Sequence, residues 1–156
     1  MIDASLRAGV GTGAAFIALE PTGHFMAAGA KLLHEVAEPR LAEAATLWWT
    51  LEKLDELGIS HVRLLSDCEQ LVLAWSSNKR NNSYFHGLIQ DSKEMTPLFH
   101  KLIVKHVGRD KNKMADQLAR IAFDVNDITW LDSVPTSLVH FFRNDACYVN
   151  LNSLFE

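Results

Sequence analysis

The sequence predicts a mixed α/β layer structure, and three observations carry that expectation. Two strand-like runs are split by Pro-Thr-Gly at 21–23, the signature of an antiparallel hairpin. A short strand candidate runs straight into a helix start at Asp67. Elements then alternate as strand, strand, strand, helix, strand, helix, helix, strand, helix, an order that builds helices against a sheet.

Each element has a local reason. Residues 1–5 (MIDAS) form the first strand, and residues 13–20 (GAAFIALE) and 24–33 (HFMAAGAKLL) are the two arms of the hairpin. Residues 38–58 read as a long helix, because Pro39 suits a first helical turn and Gly58 suits a stop. At about 100° per residue, Leu41, Ala44, Leu47, Trp48, Leu51 and Leu54 share one apolar arc. Residues 61–66 (HVRLLS) are a strand, and Ser66-Asp67-Cys68-Glu69 has the capping-box form that begins a helix carrying Leu71, Val72 and Trp75. Residues 76–83 (SSNKRNNS) are a loop by composition, and a weak helix over 85–99 breaks near Pro97. Residues 102–107 (LIVKHV) make a strand, 108–111 a turn, and 112–123 a helix with Leu118, Ile121 and Ala122 inward. The segment 125–156 is expected to be a tail whose short helix, after Pro135, packs back on a domain spanning 1–124.

Composition bounds the function. A chain of 156 residues, 48% apolar and 22% charged, with eight Gly and four Pro, has enough apolar residues for one complete core and is neither disordered nor collagen-like. No stretch supplies the roughly 20 apolar residues of a membrane span, and residues 1–7 do not read as a secretory signal, so an intracellular setting, nuclear or cytoplasmic, is expected. Cys68 and Cys147 form no CxxC or Cys/His pattern, so free thiols are expected and a zinc site is not. The net charge of −4 is unevenly spread: seven acidic and three basic residues lie in 38–69, but six basic and two acidic in 100–120.

Four carboxylates stand at the ends of elements, where α/β sheets open their ligand crevices. Asp3 is on the first strand, Glu43 in the second turn of the long helix at the rim of its apolar arc, Asp67 between strand and helix, and Asp116 at the start of the last helix. Taken singly, each is an ordinary cap or surface residue.

As a set they resemble a known family. Ile2-Asp3-Ala4-Ser5 with Gly11-x-Gly13, Ala42-Glu43-Ala44, Leu65-Ser66-Asp67-Cys68, and His106-Val107-x-Arg109-x-x-Asn112-x-x-Ala115-Asp116-x-Leu118-Ala119 follow the order of motifs in the type 1 ribonuclease H family. The chain looks most like the plant retroelement-derived branch, often described as a reverse-transcriptase-like domain. The resemblance implies a five-stranded mixed sheet, its first three strands antiparallel, flanked by helices. It implies a magnesium-dependent endonuclease that cuts the RNA strand of an RNA/DNA hybrid to leave 3′-hydroxyl and 5′-phosphate ends.

By position, Asp3, Glu43, Asp67 and Asp116 would hold two Mg²⁺ ions, with Mn²⁺ as a substitute, and His106 would assist proton transfer or product release. Ser5, Arg40, Lys105, Arg109, Lys111 and Asn112 would meet the nucleic acid, and Lys79 and Arg80 stand where some members carry a basic protrusion. The residue types suit the chemistry, since magnesium prefers hard oxygen ligands completed by water and substrate phosphate. Pro39 and Arg40 replace an asparagine pair that many members use on RNA, and Glu69 replaces a neutral amide. Those departures keep a second expectation open, a non-catalytic nucleic-acid-binding module of the same fold. A monomer without membrane contact is expected in either case.

Overall fold

In a computed structural model, which describes residues 1–142 apart from 35, 37, 80 and 132, one sheet separates two helical layers. The strands are β1 (Ile2–Arg7), β2 (Gly11–Leu19), β3 (Phe25–Leu33), β4 (His61–Ser66), β5 (Lys101–His106) and β6 (Asp127–Trp130), and the helices are α1 (Pro39–Glu56), α2 (Glu69–Ser76), α3 (Tyr84–Glu94) and α4 (Lys113–Val125). Spatial order is β5-β4-β1-β2-β3-β6. Strands β1, β2 and β3 pair antiparallel, β4 runs parallel to β1 and β5, and β6 is antiparallel to β3. Arg80 and Cys147 lie outside the described residues.

The sheet has six strands and not the expected five. The sixth, Asp-Ile-Thr-Trp, is short and mostly exposed, so it carries no alternating apolar signal; it exists because Ala28, Gly29, Ala30 and Lys31 of β3 offer it an edge. The chain turns into it through Asn126, at φ 67°, a positive φ that is uncommon outside glycine.

The two faces of the sheet bury separate cores. Under α1, α2 and α3 lie Ile2, Phe16, Leu47, Trp49, Leu51, Leu64, Leu71, Phe85 and Ile89. Under α4 lie Ala15, Ile17, Ala28, Ala30, Met114, Leu118 and Ala122, together with Leu138, which is fully buried in the 3-10 turn Thr136–Phe141. Close approach of α4 depends on a glycine: a Cβ at Gly13 would overlap the carbonyl oxygen of Ala119.

Two local expectations change. Trp49 is buried against Phe16, with ring centroids 5.5 Å apart, while Trp48 is 38% exposed. The reason is that α1 packs on α3 as well as on the sheet, which swings the buried arc toward Thr46, Trp49 and Thr50. The capping box at 66–69 does not form either. Ser66 ends β4 and its Oγ accepts from the Cys68 N–H at 3.1 Å, and the residue before α2 is Cys68, which makes no side-chain cap.

Candidate metal centre

The site grows from one pair of residues. Ile2 of β1 stands opposite Ser66 of β4 in parallel register, so the next residues, Asp3 on β1 and Asp67 just past the end of β4, meet at the same crevice. Helix α1 crosses β1 and β2 and brings Glu43 over that crevice. Its start is fixed by Glu38, whose carboxylate accepts from the N–H groups of Arg40 (3.3 Å) and Leu41 (3.1 Å), satisfying donors that a helix end otherwise leaves free. Asp3, Glu43 and Asp67 each offer an oxygen, and those oxygens lie within 4.8 Å of one another.

Helix α4 supplies the fourth carboxylate from the opposite layer. Asn112, just before it, is fully buried. Its amide Nδ2 donates to the Ile2 carbonyl at 2.9 Å, and the Asp116 N–H donates to the Asn112 carbonyl at 3.1 Å. The residue expected to touch nucleic acid therefore ties the start of α4 to β1 instead. Asp116 lines the same cleft as the other three, yet it is not within the close set, and its Oδ2 is paired at 3.0 Å with Arg120 one helical turn on. Sequence reasoning gave Arg120 no role, although its i,i+4 spacing from Asp116 was the available signal.

Replacing Asn112 with Ala should leave the Ile2 carbonyl without its donor in a buried place, a loss of about 1–3 kcal/mol. Thermal unfolding of the variant should move down by roughly 2–4 °C per kcal/mol. An unchanged midpoint would show that the tie contributes nothing.

Electrostatics single out the same residues. Burial, then the negative charge of Asp67, pushes the Asp3 carboxyl up to about 7, against the N–H that Ala4 donates to Asp3 Oδ1 at 2.9 Å and a weaker hydrogen bond with Glu43. Burial, then Asp3 and Asp67, pushes Glu43 up to about 9. Glu43 Oε2 is buried with no hydrogen-bond partner. A buried acceptor without a donor is costly, and clustered carboxylates resist full ionisation. A divalent cation remedies both, and the all-oxygen donor set suits a hard ion such as magnesium. The residues present therefore fit the metal.

The cleft, of about 470 Å³, is lined further by Ala4, Leu6, Pro39, Arg40, Cys68, Gln70, Arg109 and Arg120. Of the residues expected at the nucleic acid, Arg40 and Arg109 reach it. Arg40 is steadied by the Phe85 ring, 4.7 Å from its guanidinium carbon to the centroid. Ser5 is half-buried on β1, Lys105 is exposed on β5, and Lys111 is half-buried in the 3-10 turn Arg109–Lys111. Lys79 is exposed in the loop after α2. His106 is exposed at the end of β5, opposite Ser66 in register, and is not among the cleft-lining residues. Cys68 lines the cleft with its thiol pushed up by burial. No described helix is long and apolar enough to cross a membrane.

Residues 2–122 match the family described as Reverse transcriptase-like. No curated protein matches the chain. Solved structures do. RNase H1 from the halophilic archaeon Halobacterium salinarum superposes with a TM-score of 0.72 at 22% identity, over 80% of this chain and 95% of that one. The N-terminal RNase H domain of a Mycobacterium tuberculosis protein gives 0.67 at 21%, over 78% and 94%. An RNase H1 isolated from compost by metagenomics, in complex with an RNA/DNA hybrid, gives 0.62 at 22%, over 80% and 94%.

Proposed function

The chain belongs to the reverse transcriptase-like family and has a ribonuclease H fold, and on that footing we propose that it is a metal-dependent endonuclease that cleaves the RNA strand of RNA/DNA hybrids. The observation that carries the reading is the convergence of Asp3, Glu43 and Asp67 in a cleft that Asp116 completes. Asp3, Glu43, Asp67 and Asp116 would hold the metal. Two Mg²⁺ ions bound there would supply the activation of water and the stabilisation of the leaving 3′-oxygen that in-line phosphodiester hydrolysis needs.

This chain's other residues bind and orient. Arg109 and Arg40, both on the cleft wall, hold backbone phosphates, which positions a duplex without reading its sequence. Pinned by Phe85, the Arg40 guanidinium loses little freedom when a phosphate arrives. His106, exposed one register step from Asp67, would assist proton transfer or product release. Lys105, Lys111 and Ser5 belong to the same binding surface, and the protein acts as a monomer. Descent from a plant retroelement is part of this reading and rests on the motifs alone.

A labelled RNA/DNA hybrid incubated with the purified protein tests the proposal. Cleavage into 3′-hydroxyl and 5′-phosphate ends is expected with Mg²⁺ or Mn²⁺, and not with a chelator or with Asp67→Asn. Absence of any cleavage that needs both the metal and Asp67 would remove the enzyme reading. The second reading, a binding module without turnover, is favoured by the ion pair that holds Asp116 to Arg120; it predicts hybrid binding with no product under any divalent ion.

A further inference from the structure

We propose that the groove between α4 and the 3-10 turn Thr136–Phe141 is a second phosphate-binding subsite, which carries the backbone of the bound duplex onward from the carboxylate cleft. The inference rests on the function proposed above and deepens it. The groove is lined by Lys113, Asp116, Gln117, Arg120, His140 and Phe141. Asp116 and Arg120 also line the cleft, so the two depressions meet along one face of α4. A strand carries a phosphate about every 3.4 Å of duplex axis. A duplex with one phosphodiester at the carboxylates therefore presents further phosphates to whatever adjoins them.

The adjoining surface is suited to receive them. Among the described residues its one carboxylate, Asp116, is engaged by Arg120, and the exposed Lys113 has no ion pair there. His140 is exposed beside it, its ring centroid 4.1 Å from that of Phe141. Arg120, 69% exposed along its side chain, stands at the junction and can serve either depression.

The far wall is built and fixed. Gln117 Nε2 donates to the Ser137 carbonyl at 2.7 Å, clamping the turn to α4. Leu138 is fully buried beneath the same helix, and its N–H donates to the Pro135 carbonyl at 2.8 Å. His140 and Phe141 are thus held on a rigid support, which lowers the entropy lost when they bind. Both residues lie beyond the segment 2–122 that matches the family, so this part of the surface belongs to the chain's own continuation.

The test compares two labelled RNA/DNA hybrids, one of about 6 base pairs, or roughly 20 Å at 3.4 Å per step, and one of about 20 base pairs. Binding to the full chain is followed by anisotropy across a salt series in Ca²⁺. With Lys113→Ala/His140→Ala, the long hybrid should bind several-fold more weakly and its log K against log salt slope should shrink by about one. The short hybrid, which still covers both depressions where they meet at Asp116 and Arg120, should weaken in the same direction. Lys113→Glu should weaken the long hybrid further, while Lys53→Ala, which removes the same charge near the far end of α1, should leave the slope unchanged.

An unaltered slope for the long hybrid in both Lys113 variants would overturn the subsite while leaving the nuclease reading intact. An equal loss with Lys53→Ala would overturn it as well, by showing a general charge effect. Failure of the unaltered protein to bind either hybrid would overturn the subsite and the function together.

Discussion

Asp3→Asn is expected to lower metal-dependent cleavage by at least about 10²-fold and, in the same protein without metal, to raise the melting temperature above pH 7. The first effect follows from removing a charged ligand from a centre that contributes several kcal/mol to the transition state, at about 1.4 kcal/mol per factor of ten. The second follows from linkage. In the folded state Asp3 titrates at about 7 and Glu43 at about 9, against ordinary values of 3.8 and 4.5. Between those limits the folded chain binds more protons than the unfolded one, so stability falls as pH rises, by up to about 1.4 kcal/mol per pH unit for each proton. The protection is complete below about pH 4 and is lost as pH climbs through 7 and then 9.

Asparagine keeps the acceptor for the Ala4 N–H and removes the charge that Glu43 must oppose, so the profile should flatten. A divalent ion should restore stability to the unaltered protein at pH 8 through preferential binding to the folded state, with release of protons. Differential scanning calorimetry over pH 4–9, with and without Mg²⁺, reads all of this. A variant that melts lower at pH 8 and still cleaves at the original rate would show that these carboxylates are not the metal set.

Gly13→Ala should cost about 3 kcal/mol or more, the range of overpacking where the structure cannot yield. The added methyl would strike the carbonyl oxygen of Ala119 and then the ring of Phe123. An aromatic side chain can turn aside, but a helix backbone can move only as a body. Helix α4 would then lift from β2, strain the Asn112 to Ile2 hydrogen bond and carry Asp116 away from Asp3. The expected result in urea is a lower midpoint together with weaker Mg²⁺ binding in whatever protein remains folded. Gly87→Ala, where a Cβ meets nothing within 4 Å, is the matched control and should be neutral or slightly stabilising, since alanine is the better helix former. Equal behaviour of the two variants would refute the close approach of α4.

The sequence was most legible where one signal is local. Pro39 and Gly58 bracket α1, the Pro-Thr-Gly turn sets β2 against β3, and the residues after Gly108 lead into α4. It was least legible where distant segments decide. Strand β6 has no pattern of its own and takes its form from the edge of β3. Periodicity puts Trp48 on the apolar arc, but the second partner of α1 turns the helix so that Trp49 is buried instead. At the site, the carboxylate types and their order were visible, and Asp3, Glu43 and Asp67 do converge. The reach of Asp116 was not visible, because it depends on the competing cation of Arg120. The burial of Asn112 was hidden for the same kind of reason: a polar residue before a helix reads as a surface cap until a strand carbonyl is found above it.

The separation of the apolar interior into two halves bears on when the proposed activity can begin. Glu43 is delivered by the layer that closes over one side of the sheet and Asp116 by the layer that closes over the other. A chain with only the first side closed lacks Asp116 and so holds three of the four proposed ligands. Since α4 follows β1 to β5 in the chain, Asp116 is the last of the four proposed ligands to emerge during synthesis. Under the proposed function, hydrolysis would be a late readout of finished folding.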